Sequence, residues 1–376
     1  MSDLALPIVL MLLLVIAEAI YLQRSGKQKV NWRDVVFNLN SGHMMLWLFR
    51  GVEIACFGYV AANFSLGWLD SWPTVCVWLF AILAWDFGFY WLHRLHHHWR
   101  LFWAVHVVHH QGEHYNLSLG VRNSWYSSLT SIPFFLILAV MGLPLSVFIS
   151  VSIFHYTIQF FNHNEVTPKL GILEKIFVTP THHRVHHVKD LAYSNKNFGG
   201  SFIFWDKMFG SFQGSLPSEP FSYGVKGAKA SDNPFWASNQ PFIRYFKLPV
   251  SLSERAAQFH SSSVSLVSGC IVLFALVIGY VYTYGYSYSD ISWPQAVLFI
   301  LLAVGAIALS GISEGRTWGI YSWSLISLVF PLLFIGYFGW SGLYWLVLMP
   351  LIAAHGIAIM FGWGRTPLVS AGEPYG

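Results

Sequence analysis

Long apolar blocks separated by polar segments dominate this chain. Seven of them approach the roughly 20 residues that cross a bilayer as a helix, at residues 4–22, 43–62, 73–92, 264–284, 294–312, 319–338 and 342–361. An eighth block, residues 132–160, is interrupted by Gly142 and Pro144, so it is either a re-entrant hairpin or two helices joined by a tight turn. The pattern predicts an all-α fold, a multi-pass transmembrane helix bundle with seven or nine crossings.

Positive charge is confined to alternate polar segments. Residues 23–34 contain four Lys or Arg residues and residues 165–262 contain eleven, whereas residues 63–72 and 285–293 contain none. Because cytoplasmic loops carry the excess of Lys and Arg, we expect the N-terminus outside and the C-terminus inside. The first apolar block has no basic region before it and no clear cleavage site, which is typical of a retained transmembrane helix.

The composition agrees with a membrane protein. Of 376 residues, 55% are hydrophobic and only 10% are charged, against about 25% charged residues in soluble domains. The net charge of +4 comes with no basic low-complexity tract, so nucleic-acid binding is not expected. Cys56, Cys76 and Cys270 lie far apart and are interpreted as small apolar residues rather than a disulfide framework.

Histidine is concentrated in the middle of the chain. Fourteen of the seventeen histidines fall between His93 and His187, mostly in three clusters with the spacings His-x-x-His-His at 93–97, 106–110 and 183–187. Positions i, i+3 and i+4 share one face of a helix, so each cluster can present two or three imidazoles from one turn. Imidazoles packed this closely would repel one another when protonated, and a bound cation would hold them neutral. The clusters predict a polynuclear metal site, which the charge pattern places on the cytoplasmic side.

Other polar residues nearby leave alternatives open. His96 also fits the i+3 position of the first cluster, and His98 points to another side of that helix. His163 could supply a ligand from the opposite wall, while His155 is expected to be structural or supporting. Asp86 stands seven residues before His93 on the same helical face. A buried carboxylate there could orient a ligating imidazole by accepting its other ring proton.

The donor set narrows the chemistry. Imidazole ligands suit Fe, Zn, Cu or Ni, and eight or nine candidate ligands suit two metals better than one tetrahedral zinc. The sequence contains no His-Glu-x-x-His stretch, which argues against a zincin protease. A haem would use only two of the histidines and would leave the others unexplained. A lipid-adjacent site with two metals fits O2 activation and attack on an unactivated C–H bond of a lipid. A metal transporter is the remote alternative, but it would place its ligands near the bilayer midplane, often within inverted repeats.

The histidine spacing resembles that of the fatty acid hydroxylase superfamily, which includes sterol desaturases and sphingolipid hydroxylases. The family pattern His-x3-His, His-x2-His-His and a later His-x2-His-His corresponds to three segments here, and the likeness covers roughly residues 75–225. Further similarity to the ether-lipid-cleaving members lies in residues 86–94, 113–118, 181–187, 197–200 and 205–210. In those members a Glu directly follows the first histidine motif, where this chain has His98. The resemblance therefore supports an ether-lipid substrate and a pterin reductant less strongly than it supports an oxygenase.

The resemblance implies a site in detail. Two iron ions would be bound, with zinc able to occupy the site in purified protein, and the implied ligands are His93, His97, His106, His109, His110, His163, His183, His186 and His187. We expect catalytic roles for Asp86, His98 and Asn116. The implied reaction uses O2 to hydroxylate the carbon next to an ether oxygen, with tetrahydrobiopterin as the reductant; hydroxylation or desaturation of a sterol or acyl chain is the alternative.

The same resemblance suggests the organisation of the protein and its partners. We expect N-terminal transmembrane helices at residues 1–72, a catalytic region at 73–262 and a C-terminal transmembrane bundle at 263–376. The expected partners are a membrane lipid as substrate and an electron-donor protein or diffusible reductant, because no fused cytochrome or flavin domain is evident. The host membrane would be the endoplasmic reticulum or a bacterial inner membrane.

Overall fold

The computed structural model describes residues 5–218, 220–227, 231–250, 256–284, 292–339 and 342–368. Within these residues the chain is mostly helical. The helices are α1 (Ala5–Arg24), α2 (Trp32–Phe64), α3 (Thr74–His98), α4 (Arg100–His110), α5 (Ser127–Met141), α6 (Leu145–Asn162), α7 (Pro180–His186), α8 (Leu191–Ser194), α9 (Phe204–Met208), α10 (Pro234–Tyr245), α11 (Ser263–Tyr284), α12 (Trp293–Ser313), α13 (Thr317–Phe338) and α14 (Leu343–Met360).

Four short elements complete the described fold. Single 3-10 turns occupy Leu117–Val121 and Gly171–Lys175. Strands β1 (Phe259–Ser261) and β2 (Arg365–Pro367) pair antiparallel and tie the end of the polar middle region to the end of α14. The predicted all-α helix bundle is confirmed, with this small pair of strands as an addition.

Seven described helices are long and apolar enough to cross a membrane: α1, α3, α6, α11, α12, α13 and α14. The predicted block at 132–160 is two helices, α5 and α6. They are separated by Gly142, which has a φ of +97°, and by Pro144, which directly precedes α6. Only α6 reaches spanning length; α5 is a shorter apolar helix.

The predicted span at 43–62 is not among the seven. It lies within α2, a helix of 33 residues that also carries polar side chains into the interior. Arg50 and Glu53 form a buried ion pair one turn apart, and Glu53 also accepts a hydrogen bond from Ser131. Asn38 is fully buried nearer the start of the helix. The helix thus carries polar side chains into the protein, and Glu53 finds its partners there.

Two apolar cores hold these helices together. One joins α1 and the first half of α2 to α11–α14, and the other joins the second half of α2 to α3, α5 and α6. The first and last parts of the chain therefore share a core. The division at residues 72 and 262 stays a prediction.

A buried carboxylate fastens α1 to the middle region. Glu18 accepts hydrogen bonds from the backbone N–H groups of Leu117 and Glu165. A carboxylate within a spanning helix is costly unless it is bonded in this way. The contact fixes the turn after α4 and the segment after α6, both of which adjoin the histidine clusters.

Close packing between α2 and the Leu117–Val121 turn requires a glycine. A Cβ at Gly42 would lie 1.7 Å from the carbonyl oxygen of Val121. We expect Gly42→Ala to lower the free energy of unfolding by about 1–3 kcal/mol, the usual cost of overpacking, measured as a fall in the thermal unfolding temperature in detergent. Gly336→Ala in α13 is the matched control, because its Cβ would meet nothing within 4 Å. Equal unfolding temperatures for both variants would contradict this account of the packing.

Candidate metal centre

The structure collects all nine predicted histidine ligands into two buried or half-buried groups. In each group, one ring nitrogen per residue lies within 4.8 Å of all the others. Group 1 consists of His93, His97, His106, His110 and His186. Group 2 consists of His109, His163, His183 and His187.

Helical spacing explains how each cluster divides its rings. His106 and His110 are four residues apart on α4, so they face one way and enter group 1, while His109 projects from the neighbouring face into group 2. The third cluster does the converse: His183 and His187 enter group 2, and His186 enters group 1. Two short helices therefore build two adjacent sites.

The ring nitrogens of group 2 surround that of His163. His163 Nε2 lies 3.1 Å from His109 Nε2, 3.0 Å from His183 Nε2 and 3.2 Å from His187 Nε2. Nitrogen ligands bind zinc-sized ions at about 2.0–2.1 Å, so nitrogens around one ion lie roughly 3.0–3.4 Å apart. The spacing of group 2 matches that of a coordination shell.

Backbone carbonyl groups fix the orientation of four of the rings. In each case ring Nδ1 lies 2.7–2.9 Å from a carbonyl oxygen; the pairs are His93–Phe198, His109–Arg122, His163–Gln159 and His186–Lys196. A carbonyl oxygen only accepts hydrogen bonds, so Nδ1 carries the proton and donates it. The Nε2 atom of each neutral ring is left with a free lone pair that points into its group.

These free lone pairs are the test of whether a metal fits. His109 Nε2 and His163 Nε2 face each other at 3.1 Å, and neither bears a proton in the neutral ring. In group 1, the Nε2 atoms of His97, His110 and His186 are buried without a hydrogen-bond partner among the described residues. Buried acceptors are normally satisfied. A cation in each group would satisfy them all, so the residues present fit a bound metal ion.

Burial keeps the rings neutral and ready to ligate. It lowers the pKa of His106, His110, His183, His186 and His187 well below that of a free imidazole, and the neighbouring imidazoles lower each pKa further. Burial also lowers the pKa of His109 to about 4, despite its bond to the Arg122 carbonyl. Metal ligation needs the neutral form, which these surroundings favour.

Asp86 lies beside a histidine outside the two groups. The imidazole next to its carboxylate is that of His155, with 3.2 Å between Asp86 Oδ1 and His155 Nδ1. Asp86 also accepts hydrogen bonds from the backbone N–H groups of Ser201 and Phe202 and from the Trp205 indole. These contacts hold a loop, and the expected catalytic role of Asp86 stays a prediction.

That loop nevertheless reaches the metal ligands. Asp206 accepts hydrogen bonds from the N–H groups of Phe198 and Gly199, at 2.7 and 2.8 Å, and burial raises its pKa to about 6. The carbonyl of Phe198 in turn accepts from His93 Nδ1. Asp86 and Asp206 thus fasten the two ends of a loop that orients His93.

The other two expected catalytic residues lie outside both groups. His98 is exposed at the end of α3, where its ring contacts Phe198 at 5.9 Å between centroids. Asn116 is buried. Its side-chain oxygen accepts from the N–H and hydroxyl of Ser118, within the 3-10 turn that follows. Their catalytic roles stay predictions, and the observed contacts of Asn116 are those of a turn cap.

The structure also settles a choice that the spacing left open. His96 turns away from group 1, and its Nε2 lies 2.9 Å from the Thr130 hydroxyl. His93 and His97, spaced i and i+4, are the pair that α3 contributes.

Sequence analysis did not identify the role of Arg122. The residue is buried, and its guanidinium donates to the Val108 carbonyl and to the side chains of Asp34 and Asn38. Its own carbonyl accepts from His109 Nδ1. No local sequence signal distinguishes such an arginine from a surface charge, because its partners come from α2 and α4.

The two-group arrangement predicts how metal content responds to single substitutions. We expect His186→Ala to deplete group 1 and His109→Ala to deplete group 2, so that each purified variant loses about one of two bound ions, measured by plasma mass spectrometry. His98→Ala is the control, since its ring joins neither group, and it should retain both ions. Full metal content in His186→Ala or His109→Ala would remove that residue from the ligand set.

The loop contacts predict an indirect effect of Asp86. In Asp86→Asn, an amide NH2 replaces an oxygen that accepts N–H donors, so the loop should loosen and His93 should lose its alignment. Metal should leave faster on addition of a chelator, and the free energy of unfolding should fall by about 1–3 kcal/mol. Asp70→Asn, in an exposed turn, is the control. Unchanged metal release and unfolding would show that the loop does not depend on Asp86.

Comparisons with known proteins agree with this site. Residues 78–211 match the fatty acid hydroxylase family. The chain is 38% identical over 203 residues to the alkylglycerol monooxygenase of Danio rerio and 37% identical over 206 residues to that of Homo sapiens, which covers 52% and 53% of this chain and 44% and 45% of those proteins. It is 32% identical to the ornithine lipid hydroxylase OlsE of Rhizobium tropici, over 47% of this chain and 54% of that protein.

The matched region contains all nine histidines of the two groups. The chain spans about half the length of the curated relatives it matches, and no solved structure matches it significantly. The family resemblance inferred from the histidine spacing is confirmed. The protein is an integral membrane protein whose residues 78–211 are similar to the fatty acid hydroxylase family.

Proposed function

We propose that this protein is a lipid monooxygenase that uses O2 and two iron ions to hydroxylate a C–H bond. The observation that carries the proposal is the pair of buried, neutral imidazole groups whose free lone pairs face one another. Similarity to alkylglycerol monooxygenases and to a lipid hydroxylase supports the same class of reaction.

The residues of the chain have distinct tasks in this reaction. Group 1 and group 2 would each hold one ion, and the backbone carbonyls that accept from Nδ1 would keep the rings aligned. When bound, the iron ions supply the binding and reduction of O2 that the hydroxylation requires. The overall change inserts one oxygen atom into the C–H bond and releases the other as water, consuming two electrons and two protons from a reductant.

Burial of the groups serves the chemistry as well as the metals. Most of the nine rings are buried; Tyr115 closes group 2 on one side, with its ring 5.5 Å from that of His187 and its hydroxyl bonded to the Asn162 carbonyl. A site closed to bulk water protects a strongly oxidising reaction from side reactions. Such a site also suits a substrate that arrives from the membrane rather than from water.

We propose an ether lipid as the first substrate to test, with tetrahydrobiopterin as reductant. Hydroxylation of the carbon next to the ether oxygen gives a hemiacetal, which separates into a fatty aldehyde and a glycerol. The support is the identity of 36–38% to vertebrate alkylglycerol monooxygenases. The alternative, hydroxylation of an acyl chain or desaturation of a sterol, is favoured by the similarity to the ornithine lipid hydroxylase and to Delta(7)-sterol 5(6)-desaturases.

We also propose that the active site faces the cytoplasm, in the endoplasmic reticulum or a bacterial inner membrane. The support is the excess of Lys and Arg in residues 165–262, which adjoin the third histidine cluster. Electrons would come from the pterin or from a separate donor protein on that side.

The reaction predicts a defined product. Iron-loaded protein incubated in air with an alkylglycerol and tetrahydrobiopterin should release a fatty aldehyde, identified by mass spectrometry. His109→Ala should lose the activity at least 100-fold, whereas His260→Ala, in β1 outside both groups, should keep it. A hydroxylated acyl chain or a desaturated sterol in place of aldehyde would select the alternative substrate. Equal turnover without O2 would contradict a monooxygenase.

A further inference from the structure

An apolar patch with basic surroundings is formed by the segment that follows His163 and by the end of α9. Its centre consists of Ile172, Ile176 and Met208, whose side chains are 73%, 50% and 65% exposed. Large apolar side chains exposed together outside the spanning helices are costly in water. They indicate a surface that is covered in the working protein.

The patch is a built surface rather than a loose loop. The N–H of Ile203 donates to the Ile176 carbonyl at 3.0 Å, and the N–H of Val178 donates to the Ser201 carbonyl at 2.9 Å. The ammonium of Lys207 donates to the Lys175 carbonyl at 2.9 Å. Two segments that are distant in sequence are thereby joined edge to edge, and they hold the apolar side chains in place.

The patch continues the outer face of a spanning helix. The Trp205 ring packs on Phe87 of α3 with 5.0 Å between centroids, and Phe209 packs on Trp91 of α3 at the same distance. Phe87 is itself 39% exposed within that candidate span. Met208 lies between these two anchoring aromatic residues in sequence, so the apolar surface extends from the side of α3 to the patch.

Three of the charges beside the patch are positive. Lys169, Lys175 and Lys207 are exposed beside it. The acidic groups that face the same elements are engaged: Glu174 accepts from the Leu170 N–H and from the Thr179 hydroxyl, and Asp206 is buried. Lysines that flank exposed apolar side chains are typical of segments that lie in the plane of a membrane with anionic lipids.

We propose that this lysine-flanked patch is seated in the interfacial layer of the bilayer, with Ile172, Ile176 and Met208 among the acyl chains and the lysines at anionic headgroups. The patch would hold the segment that links His163 to α7 against the same leaflet as the ends of α3 and α6. The inference rests on the membrane helices and the surface alone, so it does not depend on which lipid reaction the protein catalyses.

Site-directed spin labels test the depth of the patch directly. Single cysteines would be introduced as Ile172→Cys, Ile176→Cys and Met208→Cys in a Cys56→Ser/Cys76→Ser background, because Cys270 is buried. The labelled protein would be reconstituted in bilayers that contain anionic lipid, without any partner protein. Collision of each label with apolar O2 and with a water-soluble nickel complex gives its depth in the bilayer.

Two reference positions calibrate the measurement. Leu79 lies on the exposed face of α3, and a label at Leu79→Cys should report acyl chains. Ser218 is exposed after the patch, and a label at Ser218→Cys is the reference for water. The proposal expects all three patch labels to collide more often with O2 than with the nickel complex, as at Leu79. Patch labels that collide more with the nickel complex would place the surface in water and overturn the proposal in favour of a protein partner. Labelling that leaves thermal unfolding unchanged shows that each variant is folded.

Discussion

The structure depends on one electrostatic constraint: imidazole lone pairs converge in a space that excludes water. His109 and His163 each donate the proton on Nδ1 to a backbone carbonyl. Their unprotonated Nε2 atoms lie 3.1 Å apart. Protonation cannot relieve this contact, because burial opposes a positive charge on each imidazole; the charge of Arg122 opposes it further at His109, and the neighbouring rings oppose it further at His163. A metal ion relieves it by accepting the lone pairs. Two such groups side by side make the site suitable for chemistry that needs two metals.

The charges of the middle region serve this constraint indirectly. Asp86 and Asp206 hold the loop that supplies a carbonyl to His93, and Arg122 is held so that its own carbonyl meets His109. Glu18, from a spanning helix, ties down the adjoining turns. These charged side chains orient the imidazoles through backbone groups. The two histidine groups themselves therefore consist of neutral donors.

The sequence was sufficient for the helical blocks and, with the family resemblance, for the set of nine rings. The 3.6-residue periodicity places residues i and i+4 together wherever the helix lies, and the resemblance added His163. It could not divide the rings between two groups, since His-x-x-His-His spacing suits either division until the helices are packed. It could not give the ring orientations either: the carbonyl that holds His93 lies 105 residues away. Helical spacing and the cost of a buried carboxylate suggested that Asp86 orients a ligand, whereas its observed partners include a loop that the spacing does not describe. The buried ion pair between Arg50 and Glu53 in α2 could not be foreseen either, because its surroundings come from other helices.

The central claim is that the two imidazole groups hold two separate metal ions. Anomalous diffraction at the iron edge, from crystals of iron-loaded protein, tests it most directly. The account predicts two peaks, one within His93, His97, His106, His110 and His186 and one within His109, His163, His183 and His187. A single peak, or iron bound elsewhere in protein that is active, would contradict it.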